Sequence, residues 1–283
     1  MSEVTLSVAQ GIATITMNRP RSLNAITADD YDKLANTLRE VDKREDVIAT
    51  IWQATGKWFC AGTDVESTGS KPVETTVRHA LVNQVSKSHL DCGHAFASHS
   101  KILIAVLNGP AMGTSGLQPL VDLDLLATLP RYCGGIPGIF RFHLRVTQRL
   151  VILSFLGIIP EAGSSVTFPT VACSAGWAKG NEALIWGRKM TADELLESRK
   201  IFPQQSTEEF HAAVRQYTLE NLQGLDPVAV LGAKRLVRAA LDEKNHFDTV
   251  LLREGYAQAE RFASGRPRKH FERIAKKEIK HKL

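Results

Sequence analysis

Apolar and polar residues alternate from Val4 to Val8 and again from Ile12 to Met17, the period-two pattern of strands, and Gly11 stands between them as the turn residue of a hairpin. The period then changes. Thr27 is placed to act as an N-cap, Asp29 and Asp30 suit the positive end of a helix dipole, and Tyr31, Leu34, Leu38 and Val41 recur on one face, which predicts an amphipathic helix. Val47 to Trp52 reads as a buried strand, a polar helix is predicted from about Val73 to His99, and Ile102 to Leu107 reads as a further apolar strand. The carboxyl half is mostly helical: Thr191 and Glu194 form a capping box, and Asp226 before Pro227 offers an N-cap followed by proline at the first helical position. This order predicts an α/β fold with a helical carboxyl-terminal part, divided into a core over residues 1–200 and a helical region over 201–283.

Composition narrows the class. A chain of 283 residues with 43% hydrophobic and 23% charged residues can bury a sizeable core, which excludes disorder and fibrous repeats. The net charge of +5 is unevenly spread: residues 261–283 carry +7 and the remaining body −2. The body is nearly neutral, so nucleic acid is not expected as a partner. The cysteines at 60, 92, 133 and 173 form no CxxC pair, which points to free thiols in a reducing compartment. The amino terminus lacks the basic and apolar regions of a secretory signal, and no run reaches the roughly 18 apolar residues of a membrane span.

Most familiar chemistry is then removed. His89, His94 and His99 recur every five residues, but five α-helical steps carry each imidazole about 140° past a full turn, so they do not share a face and no metal is expected. Gly134, Gly135 and Gly138 lack the order of a dinucleotide loop, and neither a GxSxG elbow, a P-loop nor an HExxH pair is present. Two segments of small residues remain, Phe59-Cys-Ala-Gly-Thr-Asp64 and Asn108-Gly-Pro-Ala-Met-Gly-Thr-Ser-Gly116, each close behind an apolar strand. Small residues there let peptide N–H groups from two loops converge on one oxygen.

With NRPRSLNAI at 18–26, FCAGTDV at 59–65 and NGPAMG at 108–113, the chain resembles the crotonase (enoyl-CoA hydratase/isomerase) superfamily. The resemblance implies a spiral of repeated ββα units that binds acyl-CoA thioesters and assembles as a homotrimer or homohexamer. It implies an oxyanion hole from the backbone amides of Ala61 and Thr114, with Ala25, Phe59, Gly62, Thr63, Asp64 and Gly113 lining the substrate. No cofactor is implied beyond the coenzyme A of the substrate itself. The two glutamates with which the family's hydratases hold water fall here on Leu117 and Leu153, which disfavours hydration.

The segment Leu156-Gly-Ile-Ile-Pro-Glu-Ala-Gly-Ser-Ser-Val-Thr-Phe-Pro169 instead resembles the part of the peroxisomal Δ3,Δ2-enoyl-CoA isomerases that carries a single catalytic glutamate, here Glu161. One base suffices for that reaction, because it can remove a proton from C2 and return it at C4. The apolar neighbours Ile158, Ile159, Val166 and Phe168 would raise the basicity of Glu161. The expected function is thus the shift of a 3-enoyl-CoA to trans-2-enoyl-CoA. Dienoyl-CoA isomerisation, hydration, thioester hydrolysis and a non-catalytic acyl-CoA-binding subunit are the alternatives, the last if the unusual segment 128–155 blocks the pocket. His281-Lys282-Leu283 resembles the Ser-Lys-Leu peroxisomal address, which implies a peroxisomal import receptor as a partner. Pro119, soon after Thr114, predicts a helix there that starts late or bends.

Overall fold

The hairpin forms where the alternation puts it. Strand β1 (Val4–Ala9) pairs antiparallel with β2 (Ile12–Met17) across Gln10 and Gly11, whose φ angles of 54° and 74° are the left-handed pair that a tight two-residue connection requires. The structure is a computed structural model that describes residues 3–64, 76–111, 125–128, 200–201, 206–242, 246–275 and 278. From β2 onward every pairing is parallel: β3 (Ala49–Ala54), β4 (Ile102–Leu107), β5 (Leu125–Thr128) and β6 (Lys200–Ile201) add one after another, so the sheet order follows chain order. Parallel crossovers are right-handed, and when each leads to the next neighbour the chain winds in one direction as a spiral.

The first crossover contains the predicted amphipathic helix, α1 (Ala28–Asp42). Its capping box is Thr27 with Asp30: the Thr27 hydroxyl accepts from the Asp30 amide at 3.2 Å, and the Asp30 carboxylate accepts from the Thr27 amide at 3.0 Å. Tyr31, Leu34, Leu38 and Val41 are buried as expected. Strand β3 begins later than the apolar run predicts, because Val47 packs beside Val41 and Ala13 ahead of the strand while Gln53 and Ala54 pair with Thr16 and Met17.

The helix expected over 73–99 is described from Val77 and is not uniform. A short α2 (Val77–Ala80) passes into a π-helix (Leu81–Asp91) and then α3 (Cys92–Ala97). Arg39 of α1 holds Asp91 with two charge-assisted bonds, and Lys87 reaches Asp32 at 2.6 Å, tying this helix to α1. The three histidines go to separate partners: His89 to Ser88, His94 to Asp248, and His99 to Thr50. Among the described residues no group of histidine, cysteine and carboxylate side chains could hold a metal ion.

Both faces of the sheet are covered, which is why its parallel strands read as nearly continuous apolar runs. Ile15, Met17, Trp52, Ala54, Leu103, Ala105 and Leu107 pack toward Leu34, Leu38 and Phe96, and the Trp52 ring lies 4.8 Å from Phe96 and 5.0 Å from Phe59. On the other face Ile12, Ala49, Ile51, Ile104 and Val106 receive Phe210 and Val214 of α4 (Thr207–Leu222). The chain continues through α5 (Pro227–Asp242), α6 (Phe247–Ala263) and α7 (Arg266–Ala275). Asp226 caps α5 as predicted, accepting from the amides of Val228 and Ala229. Helix α6 lies against the π-helix at Gly255, beside Val85 and Leu90. Among the described residues, no helix is long and apolar enough to cross a membrane.

Candidate active site

Parallel strands end on one side of a sheet, and the loops that leave their carboxyl ends are the usual place for a ligand in such folds. Here β2, β3 and β4 release the segments 18–26, 55–64 and 108–111, and hydrogen bonds lock them together. Asn24 is the main tie. Its side-chain amide donates to the carbonyls of Thr55 and Trp58, both at 2.8 Å, while its side-chain oxygen accepts from the Arg19 amide at 2.8 Å. Leu23 and Asn24 hold φ angles of 52° and 55°, in the left-handed region that asparagine enters readily but leucine rarely. Asn108 donates to the Gly56 carbonyl at 2.7 Å, linking the third loop to the second.

Within this frame the segment 59–64 runs between the other two. On one side Phe59 and Cys60 donate to the Pro110 carbonyl, and Cys60 forms a parallel bridge with Ala111. On the other side Ala61 donates to the Leu23 carbonyl at 3.0 Å, Ile26 donates to the Gly62 carbonyl at 2.8 Å, and Asp64 donates to the Ile26 carbonyl at 2.8 Å. The amide expected from Ala61 as an oxyanion donor is therefore already bonded to Leu23. Gly62, with φ 92°, donates to its neighbour's thiol, Cys60 Sγ, at 3.2 Å.

Thr63 is different. Its amide makes no hydrogen bond among the described residues, and the reason lies in the peptide that carries it. In a planar trans peptide the C=O and N–H point in opposite directions. Because the Gly62 carbonyl faces Ile26, the Thr63 N–H is turned away from the 23–26 segment. The edge of the segment opposite the 23–26 pairing carries the bonds of Phe59 and Cys60 to Pro110, and Thr114 follows three residues after Ala111 in sequence. A carbonyl that already accepts a bond also polarises its own peptide and strengthens the N–H as a donor.

The other expected residues divide by burial. Phe59 is fully buried and packs its ring on Trp52, so its side chain supports the loop from beneath. Ala25 is half-buried, and its carbonyl accepts from Arg19 at 2.9 Å. Asp64 is bound to the same guanidinium at 3.3 Å, with Asp30 on its other side at 3.4 Å. Arg19 thus joins the start of α1, the 25–26 segment and the end of the 59–64 segment. Tyr31, buried in α1, places its hydroxyl 2.8 Å from that of Thr63, whose residue is exposed. Gly113, Thr114, Leu117, Leu153 and Glu161 lie outside the described residues, as do Thr191, Glu194 and the tripeptide 281–283. Sequence reasoning passed over Arg19, Asn24 and Tyr31. All three lie in or beside the motif at 18–26, but their bonds to the 55–64 segment arise only from long-range pairing.

Residues 12–117 match the enoyl-CoA hydratase/isomerase family. Among curated relatives, a Delta(3,5)-Delta(2,4)-dienoyl-CoA isomerase of Pyricularia oryzae is 29% identical, covering 100% of this chain and 100% of the relative. A 3,2-trans-enoyl-CoA isomerase of Saccharomyces cerevisiae is 28% identical over 95% of this chain and 92% of its own length. A mouse protein named enoyl-CoA delta isomerase 3, peroxisomal, is 29% identical over 92% of this chain and 74% of its own length. A crystal structure of an enoyl-CoA hydratase/isomerase from Pseudoalteromonas atlantica superposes with a TM-score of 0.77 at 23% identity, covering 99% of this chain and 100% of the other, a likeness of fold. The parallel spiral, the interlocked loops at its strand ends and these relatives agree: the chain belongs to the crotonase (enoyl-CoA hydratase/isomerase) superfamily.

Proposed function

We propose that this protein moves the double bond of a 3-enoyl-CoA to the 2-position, with Glu161 as the single proton shuttle. The carboxylate takes a proton from C2, the electron pair delocalises into a dienolate whose charge rests on the thioester oxygen, and the resulting acid returns the proton at C4. The oxygen is received by the amides of Thr63 and Thr114, with Thr63 replacing Ala61 as the first donor. The observation that carries this reading is the Thr63 N–H, turned away from its own pairing partner at the mouth of the parallel strands. Relatives named as 3,2-trans-enoyl-CoA isomerase and enoyl-CoA delta isomerase support the reaction class. Leu117 and Leu153, at the places where hydratases need paired acids, argue against water as a reactant.

A second reading is the shift of a 3,5-dienoyl-CoA to a 2,4-dienoyl-CoA, favoured by the relative from Pyricularia oryzae. That chemistry ordinarily uses a further acid, and no partner to Glu161 is evident in the sequence. The remaining proposals follow the family: assembly as a homotrimer or homohexamer, no cofactor beyond the coenzyme A of the substrate, and residence in the peroxisome through an import receptor that reads His281-Lys282-Leu283.

The test follows ultraviolet absorbance with the purified protein and three substrates. Conjugation of 3-enoyl-CoA faster than that of 3,5-dienoyl-CoA, with negligible hydration of 2-enoyl-CoA, is the expected result. Preference for the dienoyl substrate selects the second reading, and rapid hydration removes both.

A further inference from the structure

We infer that Tyr31 is a positioning residue for the oxyanion hole, acting through its hydrogen bond to the Thr63 side chain. The inference rests on the acyl-CoA reading above and adds to it the group that sets the angle of the donating amide. The Gly62–Thr63 peptide is fixed at its carbonyl by Ile26 and, one residue on, by the bond from Asp64 to Ile26. Those bonds fix its height but leave rotation about the axis of the extended chain. A third point off that axis is needed to stop the N–H from swinging, and the Thr63 hydroxyl, 2.8 Å from Tyr31, supplies it.

The anchor is rigid. Tyr31 is 2% exposed in α1, among Leu34, Leu38 and other core side chains, so its phenol has little freedom. Thr63 is exposed and β-branched, with stiff χ1, and fixing its hydroxyl therefore fixes its Cα and the peptide before it. The amide of the same residue makes no hydrogen bond among the described residues and is turned away from the Ile26 pairing. Oxyanion donors work by being held in place before charge develops, so small misalignments lower turnover more than ground-state binding.

The experiment compares the full-length protein with Tyr31→Phe, Thr63→Val and the double variant, using steady-state kinetics and the absorbance of bound 2-enoyl-CoA. Hydrogen bonds to the thioester oxygen polarise that chromophore and move its band to longer wavelength. Each single variant is expected to lower kcat by about 3- to 10-fold with KM within about twofold, and to reduce the band shift. The double variant is expected to fall little further than Tyr31→Phe, because both singles remove the bond that the two hydroxyls share. Should Tyr31→Phe fold poorly, Thr63→Val deletes the same bond from the exposed side and carries the test. Additive losses, or an unchanged band in a folded variant, overturn the role of Tyr31. Failure of the wild-type protein to bind any acyl-CoA overturns the acyl-CoA reading instead.

Discussion

Gly109 lies so close to Lys57 that a β-carbon at position 109 would stand 2.0 Å from the Lys57 carbonyl oxygen and 2.8 Å from its carbonyl carbon. Both are backbone atoms, so no side chain can swing aside. The contact holds the loop after β4 against the loop after β3, where Asn108 also reaches the Gly56 carbonyl. Gly109→Ala is therefore expected to push the two loops apart, with a loss of at least about 1–3 kcal/mol of stability typical of overpacking. Isomerase activity should fall with it, since these loops carry both proposed oxyanion donors. Denaturant unfolding and the conjugation assay measure the two effects, and a variant equal to wild type in both would remove this contact as a constraint on the site.

Glu161→Gln keeps the size and much of the hydrogen bonding of the side chain while removing the proton acceptor. Turnover of 3-enoyl-CoA is expected to drop by about 10² to 10⁴, the usual share of general acid–base catalysis, with acyl-CoA affinity retained. Titration calorimetry beside the kinetic assay separates the two quantities. Near wild-type turnover would take the base away from Glu161.

Acid should destabilise the protein in two stages. Burial lowers His211 to about 4, only partly opposed by nearby Glu208. Unfolding restores its ordinary value of 6.5, so between these limits the unfolded chain binds more protons and stability falls as pH drops from 6.5 toward 4. Asp42 adds the second stage. Burial alone would raise it, but hydrogen bonds from His99 and Ser100 outweigh that and hold it below its ordinary 3.8, so its contribution is lost as pH falls through that lower value. His211→Gln should flatten the first stage and leave the second, as read by denaturant midpoints from pH 3 to 7; an unchanged slope between 6.5 and 4 would dissociate His211 from it.

A fluorescent protein extended by the last dozen residues of this chain should collect in peroxisomes, and removal of His281-Lys282-Leu283 should release it to the cytosol. The purified enzyme lacking the tripeptide is expected to keep its activity, because a receptor-read terminus must stay accessible. Diffuse fluorescence from the intact tail would refute the address without touching the chemistry.

Short-range pattern was sufficient for the β1–β2 hairpin, for α1 with its capping box, for the apolar strand β4 and for the Asp226 cap, because each depends on side chains within a few positions of one another. The three motifs likewise marked the loops that the fold brings together. That the Thr63 amide would be left without a hydrogen bond among the described residues, while that of Ala61 would not, was not legible. Ala61 and Thr63 stand two residues apart in a run of small side chains, and every residue there but proline has the same N–H. Their difference comes from register against Leu23 and Ile26, roughly 35 to 40 positions earlier, where Ala61 is bonded and Thr63 is not. Which amide faces a partner is settled when two backbones pair, and the uniformly small side chains of this segment give no pattern from which to read it. The same holds for Phe59, whose place on the underside of its loop follows from Trp52. It holds too for the π-helix at 81–91, whose wider winding leaves no short-range signature and which lies where α6 crosses at Gly255.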